Sequence, residues 1–95
     1  MSNKEYRSEM GIIVDILGIT MENGRHGSIA STISRRANLS HHALIEKCQK
    51  LIRAGLIESM LADRNRTIKI TEKGIKFFLE SKRFQDTVKE LKIRY

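Results

Sequence analysis

The stretch I-S-R-R-A-N-L-S-H-H-A-L-I-E-K-C-Q-K-L-I-R-A-G-L-I, residues 33–57, carries the strongest structural signal in this chain. It predicts two helices joined by a short turn at Asn38-Leu39-Ser40, because Asn tolerates turn geometry and Ser caps helices well. Leu39 is expected to fill the core between the two helices. The stretch closes with Gly-Leu-Ile, which is typical of the approach to a β-hairpin. A helix pair followed by strands is therefore the central expectation.

The second helix of this pair, helix 3 of the chain (about residues 40–54), carries an apolar face at helical spacing. The members of that face are Leu44, Cys48, Leu51 and Ile52. Gly55 is expected to end the helix. Helix 2 is predicted to begin after Gly27, with Ser28 as its cap and with Ile29, Ala30 and Ile33 facing inward.

The flanking segments complete the predicted architecture. Upstream, a first helix is expected between a Ser8 cap and a stop at Asn23-Gly24. Its inward face consists of Tyr6, Met10, Ile13, Val14, Leu17 and Met21, with Ile12, Ile16 and Ile19 as a second apolar flank. Downstream, apolar runs at 56–61 and 67–71 enclose the charged segment 62–66, which predicts a β-hairpin, or wing, with its tip at about 61–67.

A long C-terminal helix, residues 72–95, is predicted after the first domain, residues 1–71, with Thr71 as its cap. Ile75, Phe78 and Leu79 should pack on that domain. A separate apolar seam recurs at spacings of 4, 3, 4, 3 and 4: Phe77, Ser81, Phe84, Val88, Leu91 and Tyr95. Such a helix spans roughly 36 Å and should overhang its domain, which would leave the seam exposed. The seam predicts a coiled-coil dimer, and packing of the seam on helix 1 is the alternative.

Charge and composition narrow the range of partners. The chain of 95 residues is long enough for one domain. Its formal net charge is +7 and its pI is near 9.9. The segment between residues 24 and 55 has six cations and one acid, so it accounts for +5 of this net charge. A polyanion, most commonly nucleic acid, is the expected partner, although ribosomal and other RNA-binding proteins share this balance. The sequence has no signal-peptide pattern and no membrane-length apolar run, so a soluble, cytoplasmic protein is expected.

Four short motifs carry a family resemblance: A-N-L-S at 37–40, L-x-x-x-C-x-x-L at 44–51, G-L-I at 55–57 and I-T-E-K-G at 70–74. Across about residues 8–95 the chain resembles small archaeal winged helix-turn-helix DNA-binding proteins, including the ten-kilodalton chromatin-associated class. The resemblance implies a mainly α fold with a small β-hairpin. It also implies a DNA-binding homodimer paired through antiparallel C-terminal helices. The chain departs from the pattern at His41-His42, where such proteins often carry an aromatic residue.

In helix-turn-helix units the second helix enters the DNA major groove. With Cys48 inward, helix 3 presents His42, Glu46, Gln49, Lys50 and Arg53 on the opposite face, flanked by Lys47. Cations can contact phosphate or guanine, Gln can read adenine, and an acid can accept from cytosine. An ordinary solvated helix face is the alternative. The complete predicted DNA-binding set is Arg35, Arg36, Ser40, His42, Glu46, Lys47, Gln49, Lys50, Arg53, Arg64 and Arg66.

Several of these positions have a structural alternative. Arg64 and Arg66 at the wing tip could grip phosphate or enter the minor groove, or could simply keep the hairpin soluble. Arg35 and Arg36 suit DNA phosphate, but cations also stabilise the C-terminus of any helix. Ser40 suits a cap, although helix N-termini can also bind phosphate.

Other classes of function find little support in the sequence. His41, His42 and Cys48 lack metal-ligand spacing, and the lone cysteine rules out an internal disulfide. No phosphate-binding loop or nucleophile motif occurs, so neither catalysis nor a cofactor is expected, and no effector pocket is evident. Two functions remain open: a DNA-binding regulator or architectural chromatin protein, and a winged-helix module that binds protein instead of DNA.

Overall fold

The computed structural model describes residues 8–62 and 65–92. Within these ranges the chain forms four α-helices, one turn of 3-10 helix and three short strands. In chain order they are α1 (Glu9–Asn23), the 3-10 turn (Gly24–His26), β1 (Ser28–Ile29), α2 (Ala30–Ala37), α3 (His41–Arg53), β2 (Ile57–Ala62), β3 (Asn65–Ile70) and α4 (Glu72–Glu90). The strands make one antiparallel sheet in the order β1-β3-β2.

Three helices begin at the capping residues that the sequence predicts. The hydroxyl of Ser8 accepts a hydrogen bond from the Gly11 N–H at 2.9 Å. Ser40 accepts from the Ala43 N–H at 3.1 Å, and Thr71 accepts from the Gly74 N–H at 3.0 Å. Each of these caps satisfies one of the backbone donors that a helix N-terminus leaves without an intrahelical partner.

The predicted start of helix 2 is wrong. Ser28 is not a cap but forms β1 with Ile29, and α2 begins at Ala30. The buried Ser28 hydroxyl instead accepts a hydrogen bond from the Asn23 side-chain amide at 2.9 Å. Ile29 is about half exposed and does not face the core. The wing is consequently part of a three-stranded sheet, since β1 pairs with β3 through Ser28 opposite Ile68.

The core lies where α1, α2, α3 and the sheet meet. Its fully buried apolar side chains are Ile16, Leu17, Ile33, Leu44, Ile57 and Ile68. Each predicted flank of α1 contributes to the core, the first through Leu17 and the second through Ile16. The expectation that Met10 faces inward is wrong, because it is 36% exposed, and Tyr6 lies outside the described residues. The expectation that Ile52 is buried is wrong: its side chain is 42% exposed and lies on the side of α3 that faces the sheet.

Two tight turns connect α3 to its neighbours. Asn38 has left-handed backbone angles (φ 58°, ψ 50°), and the Leu39 N–H donates to the Ser34 carbonyl at 2.9 Å. After α3, Gly55 has φ +79° and donates to Ile52, while Leu56 donates to Leu51, each at 2.9 Å. Left-handed turns of this kind satisfy the carbonyls at a helix C-terminus, and Asn or Gly adopts them most readily.

Helix α4 is shorter than predicted, because it ends at Glu90 rather than at residue 95. Phe77 and Phe78 pack against the core, and Phe78 lies against Gly18 of α1. Leu79 does not face the domain as expected, since its side chain is exposed. The protein measures 46 × 32 × 21 Å with a radius of gyration of 13.7 Å, compared with about 12 Å for a compact chain of this length.

The apolar seam of α4 has a mixed environment. Phe84 is 56% and Leu91 63% exposed, whereas Phe77 and Ser81 are half-buried. Val88 is only 8% exposed within the single chain, so the prediction of a fully exposed seam is wrong at this position. Tyr95 lies outside the described residues. A groove of about 280 Å³ runs along the first half of the seam and is lined by Met10, Phe77, Glu80, Ser81 and Phe84.

Candidate nucleic-acid interface

The outward face of α3 consists of polar and charged side chains at helical spacing. His42, Glu46, Gln49 and Arg53 are all exposed and recur every three or four residues along the helix. They lie on the side of α3 opposite its buried residues, Leu44, Cys48 and Leu51. Thirteen helical residues span about 20 Å, so this row is long enough to follow several base pairs. We call these four residues the outer row.

Lys47 and Lys50 lie beside the outer row, on the flank of α3 that faces α1. Both ammonium groups bond to the same carboxylate oxygen, Oε2 of Glu9, at 3.3 Å from Lys47 and 2.6 Å from Lys50. The side chain of Lys47 is only 18% exposed. The hydrogen bond from Lys50, followed by that from Lys47, lowers the pKa of Glu9, and the same contact raises the pKa of Lys50.

On its other flank, α3 faces the wing across a groove of about 350 Å³. The groove is lined by Ile45, Cys48, Gln49, Ile52, Ser59, Arg66 and Ile68. The guanidinium of Arg66 donates a hydrogen bond from Nη1 to the Ser59 hydroxyl at 2.9 Å. Arg66 therefore lies beside the groove, held by the neighbouring strand.

The strands of the wing are longer than the sequence suggests. They reach Ala62 and Asn65, so Arg66 belongs to β3 and pairs with Leu61 instead of lying in a loop. The predicted site residue Arg64 lies outside the described residues. Arg66 lines the same groove as Gln49 of the outer row.

The two arginines that end α2 are exposed on the surface. Arg36 forms an ion pair with Glu22 of α1 at 2.8 Å, and the hydrogen bond from Arg36 lowers the pKa of Glu22. Both arginines lie in the last turn of α2, where a cation also stabilises the helix by interacting with its dipole. Ser40, next in the predicted set, uses its hydroxyl as the cap of α3.

Cys48 is a buried core residue. Burial raises the pKa of its thiol to about 11, so the group is protonated at neutral pH. Across residues 8–62 and 65–92, no group of three or more His, Cys, Asp or Glu side chains could hold a metal ion. No helix in the same part of the chain is both long and apolar enough to cross a membrane.

The order of helices, the turn between α2 and α3 and the wing together correspond to a known family. The sequence profile of the winged helix-turn-helix family matches residues 6–89. The chain belongs to the winged helix-turn-helix family. No curated protein sequence is significantly similar to it.

Solved structures share this fold. Sso10a-2, a DNA-binding protein from Sulfolobus solfataricus, superimposes with a TM-score of 0.76 at 19% identity, over 90% of this chain and 85% of that one. The transcriptional regulator BldR, also from Sulfolobus solfataricus, gives 0.75 at 23% identity, over 84% of this chain and 58% of that one. A point mutant of MepR from S. aureus, bound to an oligodeoxyribonucleotide, superimposes with a TM-score of 0.73 at 18% identity. The match covers 84% of this chain and 60% of that one.

These likenesses establish the fold. At the level of the fold, they confirm the resemblance to small archaeal winged helix-turn-helix DNA-binding proteins that the sequence motifs indicate. The chain spans about three-fifths of the length of BldR and of MepR, and most of the length of Sso10a-2. The larger regulators therefore contain segments that have no counterpart in the matched part of this chain.

Proposed function

We propose that the protein binds double-stranded DNA, as a transcriptional regulator or an architectural chromatin protein, by inserting α3 into the major groove. The observation that carries this proposal is the outer row of α3, which is exposed along its whole length and contains only polar or charged side chains. In helix-turn-helix proteins this helix reads base edges. The family assignment and the DNA-bound MepR structure, which shares the fold, support the same function.

The residue types of the outer row suit base recognition. Arg53 can donate to guanine, Gln49 can pair with adenine, and Glu46 can accept from the amino group of cytosine. His42, near the N-terminus of α3, completes the row. Glu46 would repel phosphate, so its place in the row favours contact with a base rather than with the backbone.

Cations around the outer row would grip the DNA backbone. Arg66 lies across the groove from α3, where the wing can approach adjacent backbone or the minor groove. Arg64 belongs to the same proposed wing contact. Arg35, Arg36, Lys47 and Lys50, with the N-terminus of α3 at Ser40, form the remaining proposed set. Lys47, Lys50 and Arg36 would exchange their carboxylate partners for phosphate.

The second part of the proposal is a homodimer formed through the C-terminal region, residues 72–95, with residues 1–71 as the DNA-binding domain. Two large apolar side chains of the seam remain exposed: Phe84, which lines the groove along α4, and Leu91, which directly follows the helix. An antiparallel coiled coil would cover these residues and would carry two outward-facing DNA-binding domains. Two linked domains bind DNA more tightly than one. Such a protein would act at the nucleoid, in the cytoplasm.

A titration of labelled duplex DNA at several salt concentrations tests the proposal. Each neutralised phosphate contributes a slope of about −0.9 in log K against log salt, so a steep slope is expected. Arg53→Ala should weaken binding. If Arg53 contacts the backbone, the slope should become shallower by about 0.9, the contribution of one phosphate; if Arg53 contacts a base, the variant should lose sequence preference instead. The matched control is Arg83→Ala, an exposed arginine on α4. Binding that is absent, or insensitive to salt, would favour the protein-binding module instead.

A further inference from the structure

The two lysines of α3 that would be natural phosphate ligands are already bound to a carboxylate. Oε2 of Glu9 lies 2.6 Å from Nζ of Lys50 and 3.3 Å from Nζ of Lys47. Of the ion pairs between described residues, these two join α1 to the helix that faces DNA in our proposal. A single carboxylate thus holds both cations on one flank of α3.

The position of Glu9 is set by the start of α1. Glu9 is the first residue of the helix, and the Ser8 side chain caps the same helix end at Gly11. A negative charge in the first turn is stabilised by the helix dipole. The helix dipole and the two lysines therefore both stabilise the charged form of the Glu9 carboxylate in the absence of DNA.

A carboxylate and a phosphate compete for the same chemistry. Each is an anionic oxygen acceptor that forms short, charge-assisted hydrogen bonds with an ammonium group. While Lys50 and Lys47 donate to Glu9, they retain fewer donors and less free charge for DNA. A DNA phosphate that approached this flank of α3 would meet two ammonium groups already bonded to Glu9.

We propose that Glu9 sets the DNA affinity of the protein by competing with DNA phosphates for Lys47 and Lys50. This inference rests on the proposed DNA-binding function and adds a residue to its interface. It also divides that interface into two parts. The outer row and Arg66 contact DNA directly, whereas the two lysines contribute only to the extent that they leave Glu9.

The test is a mutant cycle in the full-length protein, measured by fluorescence anisotropy on a labelled duplex of arbitrary sequence. Glu9→Gln should tighten binding about tenfold near 0.1 M salt and steepen the salt slope by about one unit, the effect of roughly one added phosphate contact. Lys47→Gln with Lys50→Gln should weaken binding by a smaller factor when Glu9 is present than in the Glu9→Gln protein, because Glu9 already engages both ammonium groups. The triple variant should lose the whole gain of Glu9→Gln.

Two control variants separate the position of the charge from its mere presence. Glu72→Gln removes an equivalent carboxylate, since Glu72 is the first residue of α4 and also follows a side-chain cap. It should give less than a third of the gain of Glu9→Gln. Glu9→Asp keeps the net charge but shortens the reach toward two lysines, so it should tighten binding by an intermediate factor.

Several results would overturn the inference. Equal gains from Glu72→Gln and Glu9→Gln would show a general charge effect. A Lys47→Gln, Lys50→Gln protein that loses as much affinity with Glu9 present as with Glu9→Gln would show that the lysines already contact DNA. In either case the unaltered protein still binds DNA, so the proposed function stands. An unaltered protein without salt-dependent binding would overturn both proposals.

Discussion

Gly74 lies so close to Leu56 that a Cβ atom on Gly74 would be 2.1 Å from the Leu56 carbonyl oxygen. This approach joins the start of α4 to the turn that follows α3. The same joint is tied by hydrogen bonds from Thr71 N–H to Leu56 and from the Thr71 hydroxyl to the Gly55 carbonyl, at 3.1 and 2.7 Å. Lys73 donates to the Ala54 carbonyl at 2.8 Å. The sequence motifs G-L-I and I-T-E-K-G therefore form one structural unit.

Gly74→Ala should destabilise the protein. The added methyl group would meet backbone, which cannot move away as a flexible side chain can, and overpacking of this kind costs about 1–3 kcal/mol. For a domain of this size each 1 kcal/mol lowers the melting temperature by roughly 4–8 °C. Thermal unfolding followed by circular dichroism measures the change. Lys76→Ala, at an exposed position of the same helix, is the control and should melt like the unaltered protein.

The motifs that indicate the family are structural, which explains why the sequence predicts the fold well. Asn38 and Gly55 adopt left-handed angles, Ser40 and Thr71 cap helices, and Gly74 permits a close approach. Such requirements are local and leave a recognisable pattern. These structural roles do not depend on DNA contact, so the same motifs say little about which side chains would touch DNA.

The features that sequence reasoning missed depend on contacts between distant segments. The Ser28–Ile29 strand has only two residues, too short for an alternating pattern, and it exists because β3 pairs with it. The link from Glu9 to Lys50 spans 41 residues. Helical spacing places Lys50 on the outward face but cannot identify the neighbouring helix. The charged segment 62–66 predicts a loop, whereas β2 extends to Ala62 and β3 begins at Asn65.

The wing arginines should contribute to DNA affinity more than to stability. Arg64→Ala with Arg66→Ala should weaken duplex binding, because two cations near the proposed backbone contact are lost. Substitutions at exposed positions usually change stability by no more than about 0.5 kcal/mol, and Arg66 is exposed. Anisotropy and thermal unfolding measure the two effects. Ser59→Ala, which removes the partner of Arg66 but not its charge, should weaken binding less. A large drop in melting temperature would instead make the arginines structural.

The Cys48 thiol should make stability depend on pH above neutrality. Burial raises its pKa from 9.0 to about 11, so the folded state keeps a proton that the unfolded state releases. Unfolding is then favoured by rising pH, and this contribution to stability is lost between about pH 9 and pH 11. Urea unfolding at several pH values should show a steeper decline for the unaltered protein than for Cys48→Ala. Identical pH profiles for the two proteins would contradict the prediction.

The proposed dimer depends on apolar side chains that α4 leaves exposed. Phe84 and Leu91 are 56% and 63% exposed, and burying one such side chain contributes roughly 1.5–3 kcal/mol. A twofold partner would bury each of them twice. Phe84→Glu with Leu91→Glu should therefore convert a dimer at micromolar concentration largely to monomer. Val88 is unsuitable for this test, because it is buried within the single chain and a charge there would destabilise the fold itself.

Light scattering coupled to size-exclusion chromatography measures the mass of each variant. Leu79→Glu is the matched control, since Leu79 is an exposed leucine on the same helix but outside the apolar seam, and it should leave the dimer intact. The Phe84→Glu, Leu91→Glu monomer should remain folded, because neither side chain belongs to the core cluster. It should bind DNA more weakly, because it can no longer place two linked domains on one duplex. If the unaltered protein is monomeric well above micromolar concentration, the dimer proposal is wrong and the exposed side chains of Phe84 and Leu91 have another role.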